Sequence, residues 1–145
     1  MKPVRVFVDT GAWFAVQIED DENHQDAIQA FKGLLSGPRS LVTTNHVIGE
    51  TYTLLRVVRG YREAAKFLDI MEDTSRLERV FVSAELEARA VALLRRYADH
   101  DFSFVDATSF AVMKAHRLHH AFAFDAHFAT AGFVRIPLDL PTAQL

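Results

Sequence analysis

The stretch Val4-Arg5-Val6-Phe7-Val8-Asp9-Thr10-Gly11 decides the fold. A run of β-branched and aromatic residues stopped by a polar turn reads as a buried strand, and this strand ends on an acid. The pattern returns near the C-terminus, where Ala121-Phe122-Ala123-Phe124 runs into Asp125. Working outward from the first strand, residues 12–18 suit a short helix and about 23–36 a longer one, closed by Gly37-Pro38. Residues 41–44 form the next strand. Asn45 is expected to cap a helix reaching Arg59, with Val47, Thr51, Leu54, Leu55 and Val58 on one face and Gly60 ending it. The helical period repeats over 61–72 through Ala64, Ala65, Phe67, Leu68 and Met71. A strand over 79–83, helices over 84–97 and about 105–117, a strand over 121–124, a short helix near His127 and a strand over 133–136 follow. Short apolar strands alternating with amphipathic helices imply an α/β fold whose parallel sheet is covered on both faces.

Composition narrows the chemistry. The 145 residues carry 16 Lys and Arg against 19 Asp and Glu, half are hydrophobic and none is Cys. That length predicts one domain spanning 1–145, burying roughly 70% of its unfolded surface. Without Cys there is no disulfide scaffold, thiolate zinc site or Cys nucleophile, so carboxylates, hydroxyls and histidines must carry any reaction. No apolar stretch approaches the roughly 18 residues of a membrane span, and Asp9 interrupts the only run resembling a secretory leader. A cytoplasmic protein with no membrane partner is expected.

In open α/β sheets the ligand crevice lies outside the carboxyl ends of the strands, so Asp9 and Asp125 are expected to face one place. Two further acids stand in largely apolar helical contexts: Glu50 in His46-Val47-Ile48-Gly49-Glu50-Thr51, and Asp106 in Phe102-Ser103-Phe104-Val105-Asp106-Ala107. Each has a plain alternative as a cap, a turn residue or a partly exposed helix position. Together, four converging carboxylates repel one another unless a divalent cation supplies the missing charge, and hard oxygen donors select Mg²⁺ or Mn²⁺ over zinc. Such clusters typically serve phosphoryl transfer.

These four motifs, in order from Val4 to about Ile136, resemble PIN domains, and among them the small VapC-type toxins of bacterial toxin–antitoxin pairs. The resemblance implies a PIN-like three-layer α/β/α fold with a central, mainly parallel five-stranded sheet, and a metal-dependent endoribonuclease controlled by a cognate antitoxin and frequently a homodimer. It also implies that Asp9, Glu50, Asp106 and Asp125 are the metal acids and that Thr10 helps orient Asp9 or a metal water. Ser103 is placed chiefly as a helix cap, and secondarily as a substrate contact.

Other residues are weighed and set aside. His116, His119 and His120 lie at the far end of the helix from Asp106, and His127 is read as structural. Trp13 and Phe14 adjoin Asp9, where core packing is the favoured role for at least one. Residues 52–66 hold Arg56, Arg59, Arg62 and Lys66 against Glu63, a stripe that suits RNA phosphates or simply solvent. A phosphatase with Asp9 as nucleophile would want a second Asp where Gly11 stands, and a receiver domain would want a Lys after a late strand. A catalytically silent PIN-fold protein-binding module is the alternative from another class.

Overall fold

The structure, a computed structural model, describes residues 4–145. Five strands form one sheet in the order β3-β2-β1-β4-β5: β1 (Arg5–Val8), β2 (Ser40–Thr44), β3 (Leu77–Val80), β4 (His120–Phe122) and β5 (Val134–Ile136). All four pairings are parallel, so the sheet is wholly rather than mainly parallel. Helices α1 (Thr10–Gln17) and α2 (His24–Ser36) join β1 to β2, and α3 (Asn45–Arg59) and α4 (Tyr61–Asp73) join β2 to β3. The chain then returns across the sheet through α5 (Ala84–Arg96) and α6 (Phe104–Ala115) to β4, and reaches β5 through α7 (Ala126–Thr130).

Right-handed crossovers put helices on opposite faces when the direction of travel reverses. Progress from β1 to β3 therefore sets α1 to α4 on one face, and the return sets α5 to α7 on the other. Packing agrees: α1 lies on α2 and α3, α3 on α4, and α5 and α7 on α6. At the sheet's end α3 also meets α6, which joins the two layers beside the carboxyl edge. The core is centred on β1, whose Val6, Phe7 and Val8 are fully buried. Trp13 belongs to it, edge-on to Phe31 and Phe67, while Phe14 is half-buried.

Several boundaries differ from expectation for identifiable reasons. Thr44, not Asn45, caps α3, its hydroxyl accepting from the Val47 amide at 3.0 Å, while Asn45 Oδ1 accepts from the Val82 amide at 2.8 Å. On α3 the inward stripe is Val47, Thr51 and Leu55. Leu54 and Val58, expected inside, are exposed together with Val57. Leu68 of α4 is likewise exposed. β3 lies two residues earlier than expected because Leu41 to Thr44 pair with Leu77 to Val80, leaving Phe81 outside the ladder. β4 ends at Phe122, so Asp125 stands on the loop beyond the strand. Gly60 does end α3: at φ 93° it takes a conformation that L side chains rarely adopt, and its N–H closes onto Leu55 and Arg56 carbonyls.

Candidate active site

β1 is the point where the strand order reverses, with β2 on one side and β4 on the other. A crevice opens beyond the carboxyl ends of strands at such a point. Asp9 follows β1 directly and is the N-cap position of α1, while Asp125 follows β4 and caps α7, accepting from the His127 amide at 2.8 Å. Because α6 runs back toward the start of β4, its N-terminus, with Asp106, lies at the same edge. Glu50 arrives on α3, where that helix meets α6.

Asp106 sits in a complete capping box: its amide donates to Ser103 Oγ at 3.0 Å and its Oδ2 accepts from the Ser103 amide at 2.9 Å. That Oδ2 also lies 2.9 Å from Nδ1 of His127, and the same nitrogen is 3.4 Å from Asp125 Oδ1. Asp106, Asp125 and His127 form a group whose candidate ligand atoms all lie within 4.8 Å of one another. Asp9 and Glu50 lie outside that tight group but couple to it through charge. Burial first, and then the charges of Asp106, Asp125 and Glu50, push the Asp9 carboxyl up to about 7 against a lowering bond from the Thr10 backbone. Asp9 is 6% exposed, whereas Glu50 is open to solvent. Among the described residues no Lys or Arg forms an ion pair with any of these four acids.

Capping does not use up these acids: it occupies one oxygen of Asp106 and one of Asp125, leaving Asp106 Oδ1 and Asp125 Oδ2 without hydrogen bonds among the described residues. Uncommitted carboxylate oxygens around a buried acid, with no Lys or Arg paired to them among the described residues, fit a hard divalent ion. Thr10 is buried, its hydroxyl 3.2 Å from that of Thr51, and its backbone works to lower the Asp9 pKa. Ser103 serves as the cap.

His127 is what sequence reasoning undervalued. Burial lowers its pKa, but the bond to Asp106 and the charges of Asp125, Asp106 and Asp101 outweigh this and leave it raised. The available signal was its place two residues after Asp125; its contact with Asp106, 21 positions earlier, needed the fold. His120 lies on the first residue of β4, at the opposite edge of the sheet from the acids. Of the basic stripe, Arg59 pairs with Asp20 at 2.5 Å, and Arg56, Arg62 and Lys66 remain exposed.

The PIN domain family model matches residues 6–134, a span that includes all four acids. The chain belongs to the PIN domain family. The 23S rRNA-specific endonuclease VapC20 of Mycobacterium tuberculosis is 42% identical over 132 residues, covering 90% of this PIN domain chain and 97% of the relative. The crystal structure of that protein, described as a sarcin-ricin loop cleaving toxin, superposes with a TM-score of 0.82, 39% identity and coverage of 89% and 96%. A VapC ribonuclease of Archaeoglobus fulgidus is 28% identical, covering 84% of this chain and 78% of its own. VapBC2 of Rickettsia felis, solved bound to a promoter DNA fragment, shares the PIN fold at a TM-score of 0.68 and 12% identity, covering 91% of this chain and 97% of that one.

Proposed function

We infer that Asp9, Glu50, Asp106 and Asp125 together hold Mg²⁺ or Mn²⁺, and that through them this chain, a metal-dependent endoribonuclease of the toxin–antitoxin type, hydrolyses RNA phosphodiester bonds. The observation that carries the reading is Asp9, a buried carboxyl among three other acids with no Lys or Arg paired to any of them. When bound, the ion supplies neutralising charge for the carboxylates and the phosphate and acidifies water. The chain supplies the rest. The caps of α6 and α7 hold Asp106 and Asp125 in place, the Thr10 amide steadies Asp9, and Glu50 closes the group from the solvent side. Preorganised in this way, the site does not have to reorganise its charges during reaction. Hydrolysis adds water across the P–O3′ bond, leaving a 5′ phosphate on one fragment and a 3′ hydroxyl on the other.

The partner reading is an antitoxin segment laid on the exposed apolar face of α3, where Leu54 and Val57 line a shallow groove with Glu50 and Val105. A basic side chain from that segment reaching Glu50 would compete with the cation. We also propose a homodimer and a cytoplasmic setting; among the described residues no helix is long and apolar enough to cross a membrane. The experiment is cleavage of RNA by the purified chain with and without metal, followed by sequencing of RNA ends after induction, with 23S rRNA examined first because the relative of 42% identity acts on it by name. Metal-dependent new ends support the reading. A folded chain that yields none is the silent binding module instead.

A further inference from the structure

We propose that His127 is a positioning residue of this site: its Nδ1–H, bonded to Asp106 and set against Asp125, selects which carboxylate oxygens are left for the cation. The inference rests on the functional reading above and adds a residue to it. An ionised carboxylate can only accept, so the 2.9 Å contact with Asp106 Oδ2 requires the imidazole proton on Nδ1. That nitrogen is then a donor and is not free to ligate metal. With the Ser103 amide also on Oδ2 at 2.9 Å, both donors converge on one oxygen of Asp106 and leave Oδ1 without a donor among the described residues. His127 holds Asp125 as well, through its backbone amide at 2.8 Å and its Nδ1 at 3.4 Å, both on Oδ1. One residue thus fixes two acids carried by different elements.

The ring itself is pinned. Phe102 meets it edge-on at 5.3 Å, and Phe102 is in turn set edge-on against buried Phe110 at 5.2 Å and covered by His100 at 5.1 Å. A ring held by packing on one side and by carboxylates on the other loses little freedom when the cation arrives, which is how outer-shell groups contribute to metal sites.

The isosteres separate this role from a general structural one. In Asn the side-chain amide nitrogen stands where Nδ1 does, whereas in Gln it stands where Nε2 does. Mn²⁺ affinity of the metal-free protein, measured by calorimetry, should fall roughly 10- to 100-fold in His127→Ala and His127→Gln and return close to wild type in His127→Asn. At saturating metal, kcat should fall in the first two with the RNA KM unchanged, and His127→Asn should restore it. Circular dichroism melts confirm that each variant is folded, and His127→Gln keeps the test open if His127→Ala is not. Wild-type Mn²⁺ affinity in folded His127→Gln, or an Asn variant as impaired as the Ala variant, would overturn the inference while leaving the endoribonuclease reading intact. A wild-type chain that takes up no Mn²⁺ would instead overturn the cation reading, and this inference with it.

Discussion

A carboxyl buried at the end of a central strand needs either a proton or a cation beside it. Asp9 binds its proton more tightly in the folded chain than the ordinary value of 3.8 implies, holding it up to about 7. Such a group favours the folded state fully below about pH 4, and that advantage is lost as pH rises through 7, on the order of 4 kcal/mol for three units. Metal-free protein should therefore melt at lower temperature at pH 8 than at pH 5, and saturating Mg²⁺ should offset the loss. His127, whose pKa is also raised, adds a slope of the same sign at higher pH. Asp9→Asn should flatten the lower part of this dependence, raise the metal-free melting temperature near neutral pH, and reduce cleavage by at least about 100-fold, the upper end of what outer-shell partners cost. Thermal melts across pH and cleavage assays on the same preparation check both. Full cleavage by a folded Asp9→Asn protein that is abolished by EDTA and restored by Mg²⁺ would exclude the site. The four acids were legible in the sequence because each follows an apolar run or sits in an apolar helical context, where a charge needs a reason. His127 was not, since its contact with Asp106 depends on α6 and α7 meeting in space.

Caps and faces decide how the elements present those residues. Ser103 closes the first turn of α6 and Asp106 answers it, so Ser103→Ala should cost about 1 kcal/mol in chemical denaturation and also loosen Asp106. A cleavage loss larger than the stability loss explains would mark the second effect; unchanged stability would contradict the cap. Element order and type were readable because short apolar runs and helical periods alternate cleanly. Boundaries were less so: β3 and β4 are placed by pairing with β2 and β1, which a single strand's sequence does not reveal. The face of α3 was misassigned for a related reason. Ile48, Leu54, Val57 and Val58 crowd the same helix as Val47, Thr51 and Leu55, so apolar spacing alone cannot say which stripe turns inward. Val57 is 78% exposed, hence Val57→Asp should shift stability by no more than about 0.5 kcal/mol and spare cleavage while weakening capture of the antitoxin. Antitoxin affinity unchanged in that variant would move the partner to another surface.

At the scale of the whole molecule, strand order gathers acids from four separate helices or loops at one edge, and on the proposed reading the charge they bring together would make folding and metal binding a single linked equilibrium. An ion that binds only the folded chain stabilises it by about 2.7 kcal/mol at one hundred times its dissociation constant, so the melting temperature should climb with Mg²⁺ or Mn²⁺ concentration. Cleavage should stop in EDTA and recover with either ion. Ca²⁺ should raise the melting temperature but support little cleavage, because the larger ion accepts looser geometry and acidifies water less. With no Cys in the chain and four hard carboxylates against a single histidine in the group, softer metals gain little ligand advantage, and zinc should not replace Mg²⁺ in the assay. Ionic strength must be held constant throughout, since salt weakens phosphate contacts to exposed residues such as Arg56, Arg62 and Lys66 independently of the metal. Stabilisation by Mg²⁺ that disappears in Asp9→Asn would tie the linkage to this edge of the sheet. Undiminished cleavage in EDTA would overturn the metal mechanism, unless the same activity persisted in Asp9→Asn preparations and so traced to a contaminating ribonuclease.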